Sequence, residues 1–253
     1  MITADLGGRR TIVTGGASGI GLSTVRMFAG LGSTVAIADL AGDRLAESAA
    51  ALAGEGLDVF AAPTDLRDGD LARRMVTDAA ERMGGLDYLC NIAGHSVTHS
   101  IIPAEDLEAQ TEEFWDEMLS VNLLSVYRTS HAAAPYLKAS RGAIVNCASM
   151  SGWRGGGSSS PYCVAKAGVI SLTRELARGL APEVRVNAIS PSYVHPDSTN
   201  FPVRWDTVFE DSAALPLGRP GTGEEYAEAC LFLCAGASYI TGQTIGVDGG
   251  WSA

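Results

Sequence analysis

Thr14-Gly15-Gly16-Ala17-Ser18-Gly19-Ile20-Gly21 stands directly after the apolar run Thr11-Ile12-Val13 and directly before a helical pattern carried by Val25, Phe28, Ala29 and Leu31. Strand, glycine-rich turn and helix in that order is the context in which closely spaced glycines carry information. Gly15, Gly19 and Gly21 permit a tight turn, and without a Cβ they let a pyrophosphate approach the backbone N–H groups at the helix N-terminus. A second apolar strand, Thr34-Val35-Ala36-Ile37-Ala38-Asp39, ends in an acid 18 residues past Gly21. That is near the place where a dinucleotide-binding unit sets a carboxylate on the adenosine ribose. Asp39 would accept hydrogen bonds from a free 2′-hydroxyl and repel a 2′-phosphate, and neither Ser18 nor Leu40 offers a compensating cation. NAD is therefore expected in preference to NADP.

The alternation of strand and helix continues to the end of the chain. Helices are expected over about 43–53, 70–83, 112–138, 161–180 and 223–235, and strands over Leu57–Ala62, Leu86–Cys90, Ala143–Cys147, Val184–Ile189 and Thr244–Val247. Seven strands alternating with about six helices describe an α/β fold: one doubly wound, Rossmann-type domain over 1–253, with a seven-stranded parallel sheet flanked by helices. In such a sheet, ligands bind at the carboxyl ends of the strands. Asp65-Leu66 and Asn91-Ile92-Ala93-Gly94 stand at two of those ends. Asn122 falls inside the long apolar-periodic helix, where its side chain competes with the helix backbone, and so calls for a capping, network or functional reason. Residues 192–220, rich in proline and aromatics with weak periodicity, read as a lid over a site.

Composition bounds the function. With 46% apolar and 19% charged residues the chain is ordinary globular protein. Its formal charge of −11 makes nucleic acid and anionic membrane poor partners. No apolar run reaches the ~18–20 residues of a membrane span, and the N-terminus lacks a signal-peptide pattern. Five cysteines, an odd number and mostly in apolar surroundings, suit reduced thiols and a cytoplasmic location. Neither Cys230 and Cys234 nor the four histidines supply a metal-ligand pattern, so no metal is expected.

Chemistry enters at Ser149-Met-Ser-Gly-Trp-Arg-Gly-Gly-Gly-Ser-Ser-Ser-Pro-Tyr-Cys-Val-Ala-Lys166. Pro161 can open a helix, which puts Tyr162 and Lys166 at i and i+4 on one face. A phenol titrates near ~10, too high for a base at neutral pH, and a cation beside it is expected to bring it down. Ser149, just past the fifth strand, can face that helix, so serine, tyrosine and lysine together could bind a carbonyl oxygen and exchange a proton with it.

With these motifs in order and in register, the sequence resembles the short-chain dehydrogenase/reductase family over nearly its whole length: Thr14-Gly15-x-x-x-Gly19-x-Gly21, Asp65-Leu66, Asn91-x-Ala93-Gly94, Asn122, Ser149, Tyr162-x-x-x-Lys166 and Pro191. The resemblance implies a catalytic tetrad of Asn122, Ser149, Tyr162 and Lys166. Tyr162 would be the general acid/base and Lys166 its pKa modulator and a ligand of the nicotinamide ribose. Ser149 would hold the substrate oxygen, and Asn122 would anchor a water that links Lys166 to solvent. It also implies that Gly15, Ser18, Gly19, Ile20 and Gly21 meet the pyrophosphate side of the cofactor. Asp65 and Leu66 would flank the adenine, Asn91, Ala93 and Gly94 would border the nearby ribose, and Pro191 and Val194 would meet the nicotinamide. Homotetramers built on the two long helices are implied too. Three positions depart from the family pattern: Ile92 in place of an Asn, Ser192 in place of a glycine, and Pro196 in place of a threonine on the lid.

The leading expectation is an NAD-dependent dehydrogenase that interconverts a secondary alcohol and a ketone, favouring alcohol oxidation, on a small polar or cyclic alcohol. The alternatives are an NADPH-dependent 3-oxoacyl-carrier-protein reductase, disfavoured by Asp39 and the negative charge, and a non-catalytic nucleotide-binding sensor or scaffold. The segment 95–110, Trp153, Arg154, Tyr193, His195, Phe201 and Trp205 are expected to border the substrate.

Overall fold

The structure, a computed structural model, describes residues 4–199 and 212–253. Its seven strands are β1 (Arg10–Thr14), β2 (Thr34–Asp39), β3 (Val59–Pro63), β4 (Tyr88–Asn91), β5 (Ala143–Cys147), β6 (Arg185–Pro191) and β7 (Thr244–Val247). All pair in parallel, in the order β3-β2-β1-β4-β5-β6-β7. The order runs outward from β1 in one direction and from β4 in the other, so the crevice lies where β1 and β4 part at their carboxyl ends.

Successive side chains of each strand enter opposite layers, as the pleat requires. Val13, Ile37, Cys90 and Val145 pack against Val25 and Phe28 of α1 (Gly19–Gly30) on one side. Ile12, Ala36, Leu89 and Ile144 pack on the other, against Val76 of α3 (Gly69–Met83) and Leu137 and Ala177 from later helices. Both faces are covered, which is why these strands read as unbroken apolar runs rather than alternating ones. The α2 helix (Asp43–Gly54) flanks β2 and β3.

The helix expected over 112–138 comes in three consecutive pieces: α4 (Glu112–Leu119), a π-helical segment Ser120–Leu124, and α5 (Ser125–Ser140). The apolar period continues across the break while the hydrogen-bond register widens, so periodicity alone could not reveal it. A short helix, α6 (Ser151–Arg154), for which the sequence carried no helical signal, precedes the Gly/Ser stretch, and α7 (Ser160–Leu180) follows. The last helix, α8 (Gly223–Leu231), ends in a second π segment, Phe232–Gly236. β3 and β4 each start two residues later than expected; the Leu57 N–H is spent on the Leu52 carbonyl, closing α2.

Only the two ends of the expected lid lie within the described residues; Phe201 and Trp205 fall outside them. At its start, Val194 bridges Gly221, the Tyr193 carbonyl accepts from Gly221 N and Tyr226 Oη, and Pro196 opens a 3-10 turn to Ser198. No described helix is long and apolar enough to cross a membrane.

Candidate active site

A cleft of about 550 Å³ opens at the carboxyl ends of the strands. On its wall lie Ser149, Tyr162 and Lys166, together with Gly15, Ser18, Gly19, Ile20, Gly21, Asp39, Asp65, Leu66, Ala93, Gly94, Pro191 and Val194.

Pairing between the ends of β5 and β6 sets Ser149. Ala148 N donates to Ile189 O at 2.9 Å and Met150 N to Pro191 O at 3.0 Å, so the residue between them is held beside Pro191. Its Oγ accepts from Ser151 N at 3.2 Å as α6 begins. That helix seats on α7 because Gly152 has no Cβ; one there would lie 2.7 Å from the Lys166 carbonyl carbon. The Ser159 hydroxyl caps α7 by accepting from Tyr162 N, and Pro161 occupies its first turn without loss of a needed donor. Tyr162 and Lys166 then fall on one buried face, with Lys166 Nζ donating to Cys147 O at 2.8 Å.

The electrostatics reverse one expectation. Burial pushes the Tyr162 phenol up from its ordinary value, Cys147 pushes the same way, and a hydrogen bond with Ser149 opposes both. Burial also pushes Lys166 down. Spacing at i, i+4 suggested that the cation would lower the phenol. In the fold both groups are desolvated, the ammonium is turned to a carbonyl, and Nζ lies 5.7 Å from the ring centroid.

Asn122 sits in the π segment, fully buried behind the cleft rather than on its wall. Its Oδ1 accepts from His95 N at 3.0 Å, and its Nδ2 donates to His95 O at 2.8 Å and to Met118 O at 3.1 Å. A Cβ on Gly94 would lie 3.0 Å from Lys166 Nζ and 3.1 Å from Asn122 Oδ1. Glycine at 94 is therefore what lets the amide and the ammonium approach one Cα from either side.

At the other end, a Cβ on Gly21 would lie 2.0 Å from Gly15 O, and one on Gly15 2.8 Å from Ala93 Cα, so the turn closes backbone against backbone. Ser18 precedes α1 without a side-chain cap, and the first turn carries no acid, which leaves its N–H groups suited to an anion. Asp39 accepts from Ala17 N at 3.0 Å and Leu40 N at 2.8 Å, and it lines the cleft with lone pairs to spare. This cradle fits a dinucleotide.

Several sequence expectations land elsewhere. The Asn91 side chain is not on the wall. It accepts from Thr129 Oγ1 at 2.7 Å and donates to Asn146 Oδ1 at 2.9 Å, in a buried network that continues to Thr173 and ties α5, β4, β5 and α7 together. The Asp65 carboxylate is clasped by the Arg67 guanidinium, at 2.8–3.1 Å, which holds it below the usual carboxylate range. Trp153, Arg154 and His195 do not line the cleft. Arg154 instead lies over the Trp251 ring, 5.5 Å from its centroid, and His195 caps the 3-10 turn by accepting from Asp197 N at 3.3 Å. Ile92, one of the departures, is buried and lies on the cleft wall itself. Four of the five cysteines are buried and Cys163 is partly so. Among the described residues no group of three metal-ligating side chains converges.

Sequence reading missed Arg44, Ser158 and Trp251, all on the wall. Arg44 was legible in part: it stands in the first turn of α2, five residues past Asp39, where a helix start can turn it toward the same ligand. Trp251 comes from the far end of the chain and carried no local signal.

The model of a family described as enoyl-(acyl carrier protein) reductase matches residues 15–252. The chain is 36% identical over 253 residues to a 3-oxoacyl-[acyl-carrier-protein] reductase of Thermotoga maritima, with 97% of this chain and 98% of that protein covered. It is 32% identical over 251 residues to a 2,5-dichloro-2,5-cyclohexadiene-1,4-diol dehydrogenase of Sphingobium indicum, covering 98% and 97%. A solved short-chain dehydrogenase/reductase from Serratia marcescens superposes with a TM-score of 0.87 at 30% identity, covering 99% of this chain and 100% of that one.

Proposed function

The chain belongs to the short-chain dehydrogenase/reductase family, an oxidoreductase family that uses nicotinamide cofactors, and from that premise we propose that it is an NAD-dependent dehydrogenase interconverting a secondary alcohol and a ketone. The observation that carries the NAD reading is Asp39, a carboxylate at the end of β2 on the cleft wall. The glycine turn would hold the pyrophosphate and Asp39 the adenosine ribose. Asp65, Leu66, Ala93 and Gly94 would border the adenosine, with Asn91 stiffening the strand beneath it, and Pro191 and Val194 would border the nicotinamide. When bound, the cofactor supplies the acceptor or donor of a hydride. The chain does the rest. Ser149 and Tyr162 hold the substrate oxygen, Tyr162 moves its proton, Lys166 would bind the nicotinamide ribose, and Asn122 fixes the segment over which Lys166 lies. Exposed Leu124, Tyr127 and Val164 on the long helices support a homotetramer.

A second reading, an NADPH-dependent 3-oxoacyl-carrier-protein reductase, is favoured by the Thermotoga relative and by Arg44, a cation near Asp39 that could meet a 2′-phosphate. One experiment separates the two readings: kcat/KM with NAD(H) and NADP(H) for secondary alcohols, cyclic diols and 3-oxoacyl thioesters. NAD with an alcohol supports the first, and NADPH with a thioester the second. No rate with any of them, despite dinucleotide binding, would count against both readings and in favour of a nucleotide-binding scaffold.

Removing the Asp39 carboxylate leaves Arg44 unopposed. Asp39→Ala is expected to narrow the NAD:NADP ratio of kcat/KM by about tenfold or more, since each ~1.4 kcal/mol of lost repulsion is a factor of ten. Arg44→Ala on that background should then cut NADP use selectively. An unchanged ratio in Asp39→Ala would show that Asp39 does not read the ribose.

The raised Tyr162 sets the pH dependence. At neutral pH the phenol keeps its proton, which suits donation to a ketone oxygen, while alcohol oxidation needs the phenolate. Oxidation should therefore accelerate as pH rises into the alkaline range, until buried Lys166, whose pKa is lowered, loses its charge. Reduction should be level near neutrality and fall at high pH. Rate–pH profiles in both directions check this; an oxidation rate that peaks near pH 7 contradicts it.

A further inference from the structure

Ser158 is on the cleft wall and only 1% exposed, and its Oγ has no hydrogen-bond partner. Buried hydroxyls almost always find partners, so an orphan in a cleft needs a reason. Its neighbours have structural work: Ser159 Oγ accepts from Tyr162 N, and Ser149 Oγ accepts from Ser151 N. Ser158 is also held firmly. Its carbonyl accepts from Ile102 N at 2.8 Å, which ties the loop to the 95–110 segment. Gly155 and Gly156 turn the chain at φ +77° and +73°, a conformation glycine adopts without strain. Gly157 N then donates to Cys163 Sγ at 3.3 Å, pinning the loop onto α7.

We infer that Ser158 Oγ is a second anchor for the substrate, which carries, near its reacting hydroxyl or carbonyl, another hydroxyl or carbonyl oxygen that exchanges a hydrogen bond with this side chain. The inference rests on the reading above, in which Ser149 and Tyr162 hold the reacting oxygen. A serine hydroxyl both donates and accepts, so either kind of oxygen satisfies it. Ser158 lines the same cleft as Ser149 and Tyr162, four residues before Tyr162, so a substrate held by those two can carry its second oxygen to Ser158. The class is that of 1,2- and 1,3-dioxygenated compounds: vicinal diols, hydroxyketones and 3-oxo esters or thioesters.

The test compares matched pairs, cyclohexane-1,2-diol with cyclohexanol in oxidation and ethyl 3-oxobutanoate with 2-pentanone in reduction, using wild type and Ser158→Ala with both cofactors. Wild type should prefer the two-oxygen member of each pair. Ser158→Ala should lose about tenfold in kcat/KM on the two-oxygen member, the scale of one hydrogen bond, and less than about twofold on the other. Its Tm should hold or rise, because the change removes an unsatisfied buried hydroxyl rather than a contact. Equal losses on both members, or no loss on either, would overturn the role of Ser158 and leave the proposed reaction standing. A wild type inactive on all four compounds with both cofactors would overturn the proposed reaction, and the inference with it.

Discussion

Tyr162→Phe is expected to lose turnover by about 10²–10⁴-fold, the range that positioned proton transfer contributes, while dinucleotide affinity stays within a few fold. The variant keeps the ring, which is buried on the inner face of α7 under Lys166 Nζ, so packing and the Ser159 cap survive. What goes is the buried phenol hydroxyl that hydrogen-bonds with half-buried Ser149. The dinucleotide cradle lies mostly elsewhere, in the Gly15–Gly21 turn and at Asp39. Stopped-flow single turnover reads the chemical step, and titration calorimetry with NAD and NADH reads binding. Loss of the chemical step with binding retained is the expected pattern. A variant that keeps more than about a tenth of the wild-type rate would remove Tyr162 from proton transfer.

How much of this was legible depended on the range of the signal. The glycine turn, the strand apolarity and the Tyr162–Lys166 spacing are local, written within a few residues, and the fold followed from them. The wall beyond them was not. Ser158 reaches the cleft because Gly155 and Gly156 turn the loop and Cys163 pins it, and Trp251 arrives from the chain end; neither arrangement has a period. Asn91 shows the opposite case. Its motif set it at a strand end among ligand-binding residues, but the pleat turns its side chain inward to Asn146 and Thr129. The Tyr162 phenol shows a third. Spacing put Lys166 on the same buried face as the phenol, while the direction of the phenol's shift depended on burial, which sequence does not state.

Asn122 was flagged by its own awkwardness, a polar amide inside an apolar helix, and the structure supplies the reason. The π turn seats it so that one side chain bonds both backbone groups of His95. Asn122→Ala would strand those groups and the Met118 carbonyl, at about 1–3 kcal/mol where water cannot replace the amide. A lower Tm is expected, with kcat down by about 10–100-fold as Gly94 and His95 loosen beneath Lys166. A merely structural asparagine would predict much the same, so the decisive variant is Asn122→Asp. The carboxylate has the same shape and still accepts from His95 N, but it cannot donate to His95 O. It also places a negative charge across Gly94 from Lys166, which favours the ammonium and moves the loss of its charge to higher pH. The alkaline limb of alcohol oxidation should therefore shift upward in Asn122→Asp. If that limb stays in place while stability falls, Asn122 supports the helix alone and does not position the lysine.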